Sequence, residues 1–212
     1  MINIVKKGLE DRYIGILEVK YSNNWNIDKF DKFLNNELNK IKNSSYDRES
    51  VFRNDPYFRY FRKYKKTYPV MMQVESFILK NREFRRDNYL NCIPFLSELK
   101  SHILLGSHDV SKIEGDLILY SSNDKEVFMG MGDREAHAYP GDVTGRDDKG
   151  IILSLISGAD NRTCLNDNSR HILYFIFGVP GISKEDITSV KEELVSYINV
   201  LDNDAKCEFN IF

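Results

Sequence analysis

The densest concentration of chemically capable side chains is Arg53 to Tyr68, which reads RNDPYFRYFRKYKKTY. Six basic residues (Arg53, Arg59, Arg62, Lys63, Lys65 and Lys66) stand against one acid, Asp55, for a local charge of +5. Such cations neutralise backbone phosphates and release counterions, which makes binding fall with salt. Six rings are interleaved with them: Tyr57, Phe58, Tyr60, Phe61, Tyr64 and Tyr68. Exposed rings would stack on unpaired bases, at about 1–3 kcal/mol each. A helix with its rings inward and its charges outward fits the same spacing. Lys80, Arg82, Arg85 and Arg86 add a second basic patch.

Other chemistries find little support. His102, His108, His137 and His171 show no HxxxH or HxH spacing, and Cys92, Cys164 and Cys207 form no CxxC. No metal site is therefore expected, and the thiols read as reduced ones in a reducing compartment. No G-x-S-x-G elbow and no G-x-x-x-x-G-K-[ST] loop occurs, so neither a serine triad nor a phosphate-cradling loop is implied. No cofactor is expected. The formal net charge of −2 means that any case for nucleic acid rests on local charge. Met1 to Glu10 lacks a signal-peptide apolar run, and no stretch approaches the roughly 18–20 apolar residues of a membrane span. The expectation is a cytoplasmic protein.

These side chains need elements to hold them. Tyr13–Val19 reads as a first strand, ended by the turn Ser22-Asn23-Asn24. Asn26–Lys42 carries Phe30, Phe33, Leu34, Leu38 and Ile41 at helical spacing. A second helical region spans Glu49–Lys66, interrupted at Pro56, and a helix follows Pro69 over Val70–Lys80. Leu90–Leu105 is a further helix, with Phe95, Leu99, His102 and Ile103 on one face and Pro94 at its first turn or at a break before it. The pattern then turns to short strands at Leu117–Tyr120, Val127–Met131, Ile151–Ile156 and Ile172–Phe177. A last helix over 183–201 opens on a capping box at Ser183 and Asp186. Helices mostly preceding strands argue for an α+β fold in one domain of 212 residues.

Phe61 to Glu75 and an ordered series of short motifs carry a family likeness. The series runs Leu104-Leu105-Gly106-Ser107-His108-Asp109, Ile113-Glu114-Gly115-Asp116, Met131-Gly132-Asp133-Arg134-Glu135, Pro140-Gly141-Asp142 and Asp160-Asn161-Arg162-Thr163. Over about residues 55–180 the chain resembles the B3/B4 domain of the bacterial phenylalanyl-tRNA synthetase β subunit, in its stand-alone form. Residues 1–54 would be a strand-helix extension. The resemblance implies a mainly antiparallel sheet flanked by helices, with tRNA as partner. It also implies hydrolysis of tyrosine mistakenly attached to the phenylalanine tRNA.

On that likeness Glu135 is the expected acceptor for a phenolic hydroxyl, since it falls at the position of the family's editing-pocket glutamate. His108, Asp109, Gly132, Gly141, Asp160 and Thr163 are the other substrate-site expectations, and Arg59, Arg62, Lys63, Lys65, Lys66 and Arg162 the RNA-binding ones. One departure stands out: the synthetase motif has a histidine three residues before an aspartate, where this chain has Gly106, with His108 next to Asp109. Three functions follow: a trans-editing hydrolase, a non-catalytic RNA-binding module, or a binder of an amino-acid-like small molecule without RNA.

Overall fold

In the computed structural model, which describes residues 2–212, strands β1 (Ile4–Lys7) and β2 (Ile14–Lys20) precede five helices. These are α1 (Ile27–Lys42), α2 (Arg48–Phe52), α3 (Pro56–Lys63), α4 (Pro69–Ile78) and α5 (Tyr89–Ser101). Then come β3 (Leu105–Asp109), β4 (Leu117–Ser121), β5 (Glu126–Gly130), β6 (Arg134–Ala138), β7 (Val143–Asp147), β8 (Gly150–Ser154) and β9 (Gly158–Ala159). Strand β10 (His171–Phe177), helix α6 (Lys184–Leu201) and strand β11 (Lys206–Ile211) complete the chain.

One sheet has the order β11-β2-β10-β3 and is antiparallel throughout. Its central strands β2 and β10 are almost continuously buried, which is why both read as unbroken apolar runs. Helices α5 and α6 pack against this sheet, and α1 packs on both helices. The second sheet, β1-β4-β7-β8-β9, contains the one parallel pair, β1 with β4. A separate hairpin joins β5 to β6. The expected α+β architecture, antiparallel strands flanked by helices, is the observed one.

Local chemistry explains the helix boundaries. Pro56 and Pro69 occupy the first turns of α3 and α4, where a missing N–H costs nothing. Asp55 caps α3 by accepting from the Phe58 N–H at 2.8 Å. The capping box at Ser183 and Asp186 is present.

Helix α5 departs from expectation twice. Pro94 lies inside it, not at its start, and the Leu90 carbonyl that Pro94 cannot bond receives the buried Tyr174 hydroxyl at 3.0 Å. The helix also stops at Ser101, because His102 takes a left-handed conformation (φ 58°). Ile103 and Leu104 therefore lead into strand β3 and do not extend the helix. Among the described residues no helix is long and apolar enough to cross a membrane.

Candidate functional site

The early end of α5 stop matters because it turns β3 back alongside the helix. Between them, and roofed by α4 and the β8–β9 turn, lies a cavity of about 510 Å³. That volume falls within the roughly 300–1,000 Å³ of small-molecule sites. Its walls are largely apolar, with Pro69, Pro94, Phe95, Leu104 and Phe177 among them. Polar side chains break this lining, among them Gln73 from α4, Glu98 from α5 and His108 from β3, with Asn91, Ser107, Ser154 and Ser157 around them.

Glu98 is 7% exposed. Burial raises its pKa to about 8, although the Leu105 N–H and the Gln73 amide both pull in the other direction. The Leu105 N–H donates to Oε1 at 2.9 Å. Near neutral pH the group is therefore largely a neutral carboxylic acid. Gln73 keeps a buried Oε1 that no donor reaches. Sequence reasoning missed both residues. The available signal was position, since Glu98 lies three residues after Phe95 on the helix face that already carried Phe95 and Leu99.

His108 sits 1% exposed at the cavity wall, its imidazole edge-on to Phe175. Burial, reinforced by the charge of Arg162, lowers its pKa to about 3, so the ring stays neutral. Its Nδ1 lies 2.6 Å from the Thr163 hydroxyl, and that hydroxyl donates its own proton to Asp160. With Asp160 ionised, Nδ1 must then carry the imidazole proton, which leaves Nε2 as an acceptor. Asp109 stands behind this group, receiving hydrogen bonds from Ser111 and from Ser169 (2.5 Å). Burial opposes its ionisation, but those bonds outweigh it and hold its pKa below the usual value. Thus His108, Asp109, Asp160 and Thr163 do come together. Only His108 faces the cavity.

The displaced histidine has a geometric explanation. Gly106 and His108 are two apart on β3, so both look to the same side, and both line the cavity. A Cβ at Gly106 would meet the Phe177 ring at 3.0 Å. Phe177 fills the room that a side chain at 106 would need.

Other expected residues fall outside the cavity. Glu135 is paired with Met129 across the hairpin, on the face opposite the inward Phe128 and Ala136. Its side chain is 70% exposed and its carboxylate lies 3.4 Å from the His137 ring. The cavity's carboxyl group is Glu98, and the period of two along β6 is what turns Glu135 outward. Gly132 makes the hairpin turn at φ 72°, its N–H donating to Asn161. Gly141 (φ 82°) packs under α3: its carbonyl accepts from the Tyr60 hydroxyl at 3.2 Å, and a Cβ there would press on the Tyr64 hydroxyl. Arg162 is committed internally, donating two 2.8 Å bonds to the fully buried Asp147 carboxylate.

The basic segment resolves into rings inward and charges outward. Tyr57, Tyr60, Phe61 and Tyr68 are buried, so these four cannot stack on bases. Arg59, Arg62, Lys63, Lys65 and Lys66 are exposed, and among the described residues none forms an ion pair. Helix α3 ends in a Schellman motif: the Lys66 N–H reaches the Phe61 carbonyl and the Lys65 N–H the Arg62 carbonyl. Lys65 occupies its left-handed position (φ 56°), where glycine is the unstrained choice. The segment runs directly into Pro69 at the cavity wall, and Lys66 lies over the ring of Tyr139. The cationic segment thus leads in sequence to the cavity wall. Among the described residues no three His, Cys, Asp or Glu side chains are grouped so as to hold a metal ion.

No family model and no curated protein sequence matches this chain. Among solved structures it is similar to an N-terminal fragment of the phenylalanyl-tRNA synthetase β subunit from Pyrococcus horikoshii. The TM-score is 0.51 at 11% sequence identity, with 97% of this chain and 50% of that fragment covered. This chain thus spans half the length of the fragment, and the likeness is one of fold.

Proposed function

We propose that this protein docks tRNA on the cationic segment around α3 and admits the aminoacyl end into the adjoining cavity, where a mismatched amino acid is hydrolysed off. The observation carrying this reading is that the exposed cations Arg59, Arg62, Lys63, Lys65 and Lys66 run in sequence into Pro69, at the wall of a largely apolar cavity containing a carboxyl group and a neutral imidazole. The fold shared with a phenylalanyl-tRNA synthetase β fragment supports it. So does the motif series, which implies tyrosine on phenylalanine tRNA as the substrate.

An aminoacyl ester is already reactive, so placing one water beside its carbonyl in a water-poor site suffices. The water's oxygen adds to the carbonyl carbon, the bond to the ribose oxygen breaks, and the water's proton ends on that oxygen. His108 Nε2 is suited to orient this water. Its depressed basicity makes it a hydrogen-bond acceptor, not a proton sink.

The burial of the aromatic rings favours a second reading, a binder of a free amino-acid-like ligand without RNA. A deacylation assay against a panel of mischarged tRNAs separates the two. Hydrolysis of tyrosyl ester on phenylalanine tRNA, unaffected by Glu135→Ala, is the expected result; no acceleration with any tRNA would refute the hydrolase.

A further inference from the structure

The polar end of the cavity is built by two residues that no motif pointed to. Glu98 is deeply buried, holds the Leu105 N–H on one oxygen, and has no cation paired with it among the described residues. Beside it the Gln73 carboxamide leaves Oε1 buried and without a donor. An unpaired buried acceptor is costly, and a ligand that supplies the missing donor recovers that cost. The remaining wall decides what kind of donor it is. Beyond Glu98 the titratable lining consists of His108 and Cys164, and no ionised acid lines the cavity. An ammonium at the tip of the bound side chain would be held against a neutral carboxyl group with no counter-charge to meet it, which is strongly unfavourable. A neutral hydroxyl at the end of an apolar body meets the geometry without that penalty.

We propose that Gln73 and Glu98 are the specificity-determining pair of the cavity, reading a hydroxyl at the tip of the bound side chain. The hydroxyl donates to Gln73 Oε1 and accepts from the Glu98 carboxylic acid. This places the selective contact on helices α4 and α5 and not on the β5–β6 hairpin that carries Glu135. It rests on the reading of the cavity as an aminoacyl site and adds the residues that choose the amino acid. Because burial holds Glu98 protonated up to about pH 8, the hydroxyl meets a neutral partner at neutral pH.

The test uses the whole chain without RNA, titrated calorimetrically with L-tyrosinamide and L-phenylalaninamide, which differ by one hydroxyl. The unaltered protein should favour the tyrosine amide by about tenfold or more, the range set by leaving one buried partner unpaired. Gln73→Met, similar in size but lacking the amide, should reduce that preference to about twofold. Glu98→Gln, a permanent neutral donor, should keep it. Equal binding of the two amides, binding of neither, or an undiminished preference in folded Gln73→Met would overturn the assignment. A protein that discriminates the amides yet binds no tRNA would instead sink the proposed function and leave this pair standing.

Discussion

Helix α3 and helix α5 present opposite relations between sequence and surface. In and just after α3 the polar residues are loud: five exposed cations within eight positions, 59–66, around rings that turn inward. In α5 the decisive polar residue is quiet, a single glutamate among leucines, phenylalanine and proline, buried with them. The first arrangement acts at long range and is screened by salt; the second acts at contact distance in a medium that holds a carboxyl group neutral. On the proposed reading docking and selection fall to different helices, so that each can be altered without the other.

The largest effect that would break this division is charge reversal at Arg62, Lys63, Lys65 and Lys66. Losing phosphate contacts lowers both affinity and its salt slope, so tRNA binding measured by fluorescence anisotropy should fall at least about 100-fold. The amide preference of the cavity should not move. Unchanged affinity would show that the cations face nothing.

Next in size is Arg162→Ala. It leaves the buried Asp147 carboxylate to the Glu114, Lys149 and Gly150 N–H groups alone, and losing a charged hydrogen-bond partner there costs about 1–3 kcal/mol. Chemical denaturation should register that loss, while tRNA affinity of the folded fraction stays level. A stable variant with weakened RNA binding would restore Arg162 to the docking surface.

A pH series sharpens the α5 side. Burial raises the folded-state pKa of Glu98 from 4.5 to about 8, so the folded protein holds an extra proton between those values. Stability from this group is full below the lower value and declines as pH rises towards the upper one. Glu98→Gln should flatten that decline in denaturation midpoints taken across the same range. Identical pH profiles for the two proteins would contradict a neutral, buried Glu98.

The smallest effect expected is at Lys65. Glycine there relieves a left-handed lysine, so Lys65→Gly should stabilise the fold by about 1 kcal/mol while reducing the salt slope of tRNA binding by about one contact. A variant that loses stability would show that the lysine stem packs usefully.

How much of this was readable beforehand follows the same contrast. The apolar helices and the buried strands β2, β8 and β10 announced themselves through periodicity or unbroken hydrophobic runs. Strands β3 (LGSHD), β6 (REAHA) and β7 (VTGRD) did not, because polar residues interrupt them: His108 and Asp147 are held by Thr163 and Arg162, distant in sequence, while Arg134 and Glu135 are simply exposed. The cationic face of α3 was legible as charge, and the inward turn of its rings followed from spacing. Arg162 looked equally available, and only the fold reveals that Asp147 holds it. Glu98 was hidden for a physical reason: a lone acid in an apolar helix looks like a solvated residue until the far wall of its cavity is in place.

The most direct test is the rate of tyrosyl-ester hydrolysis on phenylalanine tRNA compared with that on tyrosine ethyl ester, followed as salt is raised. Joint use of the cationic segment and the cavity predicts a large advantage for the tRNA-linked ester at low salt that collapses towards the simple ester as ionic strength increases. Equal rates on both esters, indifferent to salt, would contradict it.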